Sequence, residues 1–343
     1  MKLSTRISSC AAALLAGTLM LSACSGGDAT DTDEPGNAEV AAGDEEASTN
    51  YPLTVTNCDA EVVFEEAPER VLMLSSVYVP LLDGIDVLDR VFMKAGEYPA
   101  EYYDDDLAKQ VEEIPQLTDD LDASGHLLIS QEEIVAQEPD LLVGLPDGVS
   151  RESMEDAGIN VLDQEMYCPG ASKKASFEFI YDEVERLGKI FDHVDEADAQ
   201  VEELKERVQA VEDDLGDYNA KTAVALYPTV GGGTLYAYGN SSMVQAQFEA
   251  LDLENLFEDN NERVFEIQSE VLIDMDPDVI LVLYQGAKEA IENEVTSLPG
   301  ADEIVAVKED RVIYELFNFT EPASPLTVTG LERLATELQE STN

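Results

Sequence analysis

The side chains with chemistry to offer lie where short apolar runs give way to polar turns. In the first half of the chain these places are Ser76-Val77-Tyr78, Gly96-Glu97-Tyr98 with Tyr102 and Tyr103, Ser124-Gly125-His126, and Gly148-Val149-Ser150-Arg151. In the second half they are Tyr227 with Gly231-Gly232-Gly233, Tyr236 and Tyr238 with Gly239-Asn240-Ser241-Ser242, Arg263, Tyr284-Gln285 and Asn318-Phe319. Open α/β sheets receive ligands at the carboxyl ends of their strands, so these turns are candidate walls of a binding cleft. Tyrosine dominates the set, which suits a large, partly aromatic ligand that is stacked upon and hydrogen-bonded at its edges; part of the tyrosines would instead fill core. Arg151 and Arg263 stand out because bases are scarce. Each could pair with oxygens of an anionic ligand, or simply form a salt bridge with one of many acids.

Catalytic signatures are missing by contrast. There is no Gly-x-Ser-x-Gly elbow, P-loop or zinc-ligand helix, and the glycines at 231–233 lack the order of a dinucleotide loop. Two histidines, His126 and His193, leave little general-base chemistry and too few ligands for a zinc or manganese site, so no metal centre and no enzyme are expected. The alternatives of another class are an exported α/β hydrolase, which turnover would reveal, and a surface scaffold, which would lack a cleft.

Positioning these turns is the work of alternating elements. Strands are expected at Val71–Ser75, Val91–Ala95, Leu141–Gly144, Asn160–Leu162, Thr222–Tyr227, Thr234–Tyr238, Val279–Tyr284 and Val312–Leu316. Helices are expected at Gln131–Gln137, Arg151–Ala157, Met243–Leu251, Ala287–Val295 and Leu326–Leu338. Two such sets imply two α/β lobes. Between them Phe177, Ile180, Val184, Leu187 and Ile190 recur at helical spacing, predicting one long, stiff helix from Ala175 to Phe191; a charged helix, Glu196–Leu215, follows and Gly216 could cap it. An internal echo supports the pairing of lobes, because the segment from Glu132 to Val143 aligns without a gap on that from Glu270 to Leu281. In both, Glu opens a short helix where the dipole favours it, Pro-Asp ends the helix, and a buried strand follows.

The amino-terminal residues read as an address. Lys2 and Arg6 precede an apolar stretch from Ala11 to Leu21 that is short for a membrane span, which is the pattern of a signal peptide over residues 1–23. Leu21-Ser22-Ala23-Cys24 resembles the lipobox of bacterial lipoproteins, which implies lipidation of Cys24 and a membrane anchor; the alternative is ordinary cleavage beside an incidental cysteine. Residues 24–50 are acidic and lack apolar periodicity, as expected of a disordered tether. The lobes then occupy 51–172 and 194–343, with the linker helix within 173–193. Of the four cysteines Cys10 leaves with the signal peptide and Cys24 carries lipid, so Cys58 and Cys168 remain as a disulfide or as two buried thiols. With 74 acidic against 19 basic residues and a net charge of -55, nucleic acid is excluded as a partner.

Pro68-Glu69-Arg70-Val71-Leu72, the paired Glu…Pro-Asp segments and the long middle helix resemble the iron-chelate and cobalamin-binding proteins of bacterial ABC importers, from about Tyr51 to the end. The resemblance implies an α/β fold of two Rossmann-like lobes joined by a single long helix, with ligand in the cleft. It implies a monomeric receptor, lipid-anchored on the outer face of the plasma membrane, that passes a ferric siderophore to importer membrane subunits and has no resident cofactor. Haem, cobalamin or another large cofactor precursor is the alternative cargo. Tyr78, Tyr98, His126, Arg151, Tyr227, Tyr236, Tyr238, Arg263 and Tyr284 are the implied ligand contacts, and some haem-binding relatives carry an axial ligand near the place of His126. Glu132 and Glu270 match acids that meet arginines of the membrane subunits, and Cys58 and Cys168 match a pair bridged in a subset of the family. The chain departs from many relatives in having no Trp.

Overall fold

Uninterrupted apolar runs such as Val71-Leu72-Met73, Leu141-Leu142-Val143 and Val279 to Leu283 call for strands covered on both faces. In the computed structural model, which describes residues 48–122, 125–216 and 218–341, each of these runs is an interior strand of a sheet. The signal peptide, Cys24 and nearly all of the tether lie outside the described residues, as does Ser124. Described chain is already engaged at Thr49, whose hydroxyl donates to the Lys189 carbonyl at 2.8 Å, and Tyr51 donates to that of Ile190 at 2.6 Å.

The N-terminal lobe opens with an antiparallel hairpin, β1 (Leu53–Asn57) and β2 (Ala60–Phe64), which the sequence reading did not include. Its main sheet is parallel, in the order β4-β3-β5-β6, with β3 (Val71–Met73), β4 (Val91–Lys94), β5 (Leu141–Val143) and β6 (Asn160–Leu162). Helices α1 (Tyr78–Asp83), α2 (Asp105–Glu113), α3 (Gln131–Val135) and α4 (Arg151–Asp156) accompany it. The linker is α5 (Glu178–Phe191), about 21 Å long, followed by α6 (Val194–Asp213). The C-terminal lobe contains β7 (Thr222–Pro228), β8 (Leu235–Tyr238), β9 (Glu254–Asn255), β10 (Val264–Ile267), β11 (Val279–Tyr284) and β12 (Val312–Leu316). Their order is β10-β8-β7-β11-β12 with β9 beside β7; β8 runs antiparallel to both neighbours. Helices α7 (Val244–Ala250), α8 (Ser269–Met275), α9 (Val305–Lys308) and α10 (Pro325–Glu340) complete the lobe.

Strand alternation decides the layering. Val71, Met73, Leu141 and Val143 face the same apolar cluster as Ala223, Ala225, Leu281 and Leu283 of the other lobe, joined through Ile180, Val184, Leu187 and Ile190 of α5. The intervening residues Leu72 and Leu142 face a second cluster, and Val224, Ile280 and Val282 a third. One core thus runs through both lobes and the linker, which stiffens their mutual position beyond what a lone helix would do. Gly188 permits the tight corner after α5, since a Cβ there would lie 2.3 Å from that of Ala197.

The echoed segments acquire a structural reason. The Asp140 carboxylate accepts from the backbone N–H of Glu69 and Arg70 as the chain enters β3, and Asp278 accepts from Lys221 and Thr222 as it enters β7. In each lobe the Pro-Asp aspartate therefore ties a strand start to its parallel neighbour. A left-handed residue stands before each Pro, Glu138 at φ 51° and Asp276 at φ 46°; Asp276 is the C-cap of α8, so there this residue and not Pro alone ends the helix. Two expectations are corrected here. The helix at 287–295 is only a 3-10 turn, Lys288–Ala290, because Ile291 and Val295 alone give that segment a buried edge. Gly216 does not cap α6, whose C-cap is Asp214; instead it makes room for Gln339, whose Cγ would lie 2.9 Å from an added Cβ.

Glu315, on β12, is 3% exposed and one carboxylate oxygen has no hydrogen-bond partner among the described residues; burial pushes its pKa from 4.5 up to about 8, against the pull of Arg333. Between those values the folded state holds more protons than the unfolded chain, so this group makes stability fall as pH rises from about 4.5 to 8. The Glu315→Gln protein should lose that part of the slope. Urea midpoints at pH 5 and 8 for both proteins check this, and equal differences would refute it.

Candidate functional site

Four parallel strands of the N-terminal lobe end on one edge, and the residues after each of them line a single cleft of about 560 Å³. Leu74 to Ser76 follow β3, Gly96 and Glu97 follow β4, Gly144 to Asp147 follow β5, and Asp163 and Gln164 follow β6. Gly144, at φ 85°, lets the loops after β3 and β5 pass closely, since a Cβ would lie 3.0 Å from that of Ser75. Across from them stand Arg263 at the entry of β10, Gln285 after β11, and Phe317 and Asn318 after β12. Asn318 bridges the lobes by donating from its amide to Ser76 Oγ at 2.9 Å and from its backbone to the Tyr102 hydroxyl at 3.2 Å.

Electrostatics in the cleft are set by a few pairs. Arg263 donates to Glu321, fully buried, at 3.0 Å and lies 4.9 Å from the ring centre of Tyr167. Glu321 also accepts from Ser242 Oγ and from the Met243 N–H at 2.7 Å, so its charge is fixed in place. Burial pushes the Asp163 carboxyl up to about 6, opposed by the Gln164 N–H and by Arg151. Tyr78 is fully buried at the cleft and its hydroxyl has no partner among the described residues; burial, then Asp163, raises its pKa. His126 has Nδ1 at 3.5 Å from Asp122 and 3.6 Å from Asp147. Among the described residues no three His, Cys, Asp or Glu side chains are grouped to hold a metal ion. Such a cleft can bind and orient a molecule through stacking, amides and charge.

Residues 71–315 match the family described as periplasmic binding protein. The chain belongs to the periplasmic binding protein family. It is similar to a solved structure described as an ABC-type Fe3+-hydroxamate transport system from Saccharomonospora viridis, with 45% identity, 84% of this chain and 99% of that chain covered, and a TM-score of 0.79. Two more distant periplasmic binding proteins share the fold. These are the heme-binding protein RhuT of Roseiflexus sp. (16% identity, 80% and 99% covered, TM-score 0.63) and the vitamin B12 binding protein BtuF of Vibrio cholerae (18%, 80% and 98%, 0.58). None of the curated proteins matches the chain.

In this periplasmic binding protein the cleft gathers Ser76, Gly96, Glu97, Gly125, Gln285 and Asn318 from the candidate turns, and from the implied ligand contacts it gathers Tyr78, His126 and Arg263. Tyr227 reaches its edge by a 3.3 Å contact between its hydroxyl and Gln285 Oε1. The others lie elsewhere. Arg151 points away from the cleft, donating to the Val161 carbonyl at 2.6 Å and Asn57 Oδ1 at 2.7 Å, because its guanidinium is needed under the end of β6. Tyr98 turns its hydroxyl to the Met73 carbonyl at 2.8 Å, bracing β3. Tyr238 is core, while Tyr236 and Tyr284 are partly buried outside the lining residues. Asp147, Asp163, Gln164 and Tyr167 were missed, although the rule of strand ends applied to Asn160–Leu162 would have reached the last three. A second cavity, of about 490 Å³, lies beside the disulfide of Cys58 and Cys168, away from the strand ends.

Proposed function

We propose that this chain is the solute receptor of an ABC importer, held outside the membrane by lipid on Cys24, and that its cargo is a ferric siderophore. The similarity over almost the whole length of the Saccharomonospora viridis protein carries the cargo class. The cleft between rigidly joined lobes, with Tyr167 and Phe317 at its surface, supports capture without turnover. The monomer suffices for this role, since both walls come from one chain. Purified protein, which has tyrosine and no Trp to report binding, should show quenching by ferric siderophores with sub-micromolar affinity. The iron-free chelators should bind far more weakly. Equal binding of iron-free chelator, or binding of haem or cobalamin alone, would remove this cargo; an unchanged membrane fraction for Cys24→Ser would remove the lipid anchor.

A further inference from the structure

We propose that the cleft selects ferric chelates of positive or zero overall charge and seats a pendant ammonium against Glu97 and Asp147. This rests on the reading of the cargo as a ferric siderophore. The first observation is the state of the arginines. Arg263 is the only Lys or Arg among the described lining residues, and buried Glu321 at 3.0 Å cancels its charge. Arg151 is committed to Asn57 and Val161.

The second observation is the distribution of acids. Glu97, Asp147 and Asp163 follow three different strands of the same sheet, so the N-terminal wall carries the negative field while Gln285, Phe317 and Asn318 leave the opposite wall neutral. Asp147 and Asp122 flank His126, which at most offsets one of them. Glu97 and Asp147 are exposed at the rim, placed to meet a flexible arm, and the buried Tyr78 hydroxyl, without a hydrogen-bond partner among the described residues, is a polar group left for the ligand below.

Chelate chemistry then decides. Three hydroxamates each bring one negative charge and neutralise ferric iron, whereas three catecholates bring two each and leave a trianion. A wall of like charge in a confined cleft repels the latter and rewards a cationic arm on the former. Arg263, with donors remaining toward the cleft beside Tyr167, would face the electron-rich oxygens around iron, so the arm would extend to the N-terminal wall.

The test compares three iron-loaded probes on the purified protein: a linear tris-hydroxamate with one pendant ammonium, its N-acetylated form, and a tris-catecholate. The cationic probe should bind about tenfold tighter than the acetylated one, the size expected of two exposed ion pairs, and the catecholate should bind weakest. Glu97→Gln with Asp147→Asn, or high salt, should shrink the ratio toward one. Equal affinities for the two hydroxamates, or preference for the catecholate, overturn the charge selection while leaving the receptor reading intact. Absence of binding by any ferric chelate overturns the receptor reading and this inference with it.

Discussion

Cells producing Glu132→Arg together with Glu270→Arg should lose uptake of the ferric chelate altogether, while the purified double mutant keeps its ligand affinity and melting temperature. Glu132 and Glu270 are each the second residue of a short helix, α3 and α8, at equivalent places in the two lobes, and both are exposed. The neighbouring Glu133 is not a substitute. Its carboxylate is held at the start of α3 by the Ser130 N–H at 2.9 Å and the Ser130 hydroxyl at 2.8 Å. Val135, one turn after Glu132 on α3, is exposed and extends that patch with apolar surface. A receptor with one such patch per lobe fits a twofold channel that offers a base to each, and the core shared through α5 keeps their separation constant. Charge reversal at both sites sets like against like across that interface, where even rim charges control encounter and register. Uptake assays with labelled chelate decide it; a normal rate in the double mutant means these glutamates do not dock.

Removing the bridge with Cys58→Ser and Cys168→Ser should lower stability by about 4–5 kcal/mol in the chain-entropy model, because it frees a loop of more than a hundred residues in the unfolded state. The two cysteines are 110 positions apart in sequence with Cα atoms 5.0 Å apart, joining the turn of the β1–β2 hairpin to the segment before α5. Ligand affinity should nevertheless persist. Asn57 grips the cleft segment independently of the bridge, accepting from the Asp163 N–H at 2.9 Å and donating to its carbonyl at 2.7 Å, with Arg151 on the same amide. Denaturant midpoints and chelate titrations on the double mutant check both halves. An unchanged midpoint would deny the bridge its structural role, and a lost affinity would show that the bridge positions Asp163 or Tyr167.

Local signals in the sequence determined the order of elements, the two lobes and the linker. Strands at Asn160–Leu162, Val279–Tyr284 and Val312–Leu316 have the expected bounds, because a buried strand needs only a short apolar run between turn residues. The repeated Pro-Asp was equally legible, although its use in tying strand starts required the tertiary hydrogen bonds of Asp140 and Asp278. Hairpin β1–β2 escaped notice because its strands are short, Thr54, Thr56 and Glu61 face outward, and β2 packs on β6, far away in sequence. Cleft chemistry was the least readable part. Residue type and position left open for Arg151 and Arg263 alike whether each meets a ligand or a partner of the scaffold, and only packing brought Asn57 to the one and Glu321, fifty-eight residues on, to the other. A side chain's charge is written in the sequence, whereas whether that charge is spent on the scaffold or left for a ligand is decided by partners that converge from distant strands.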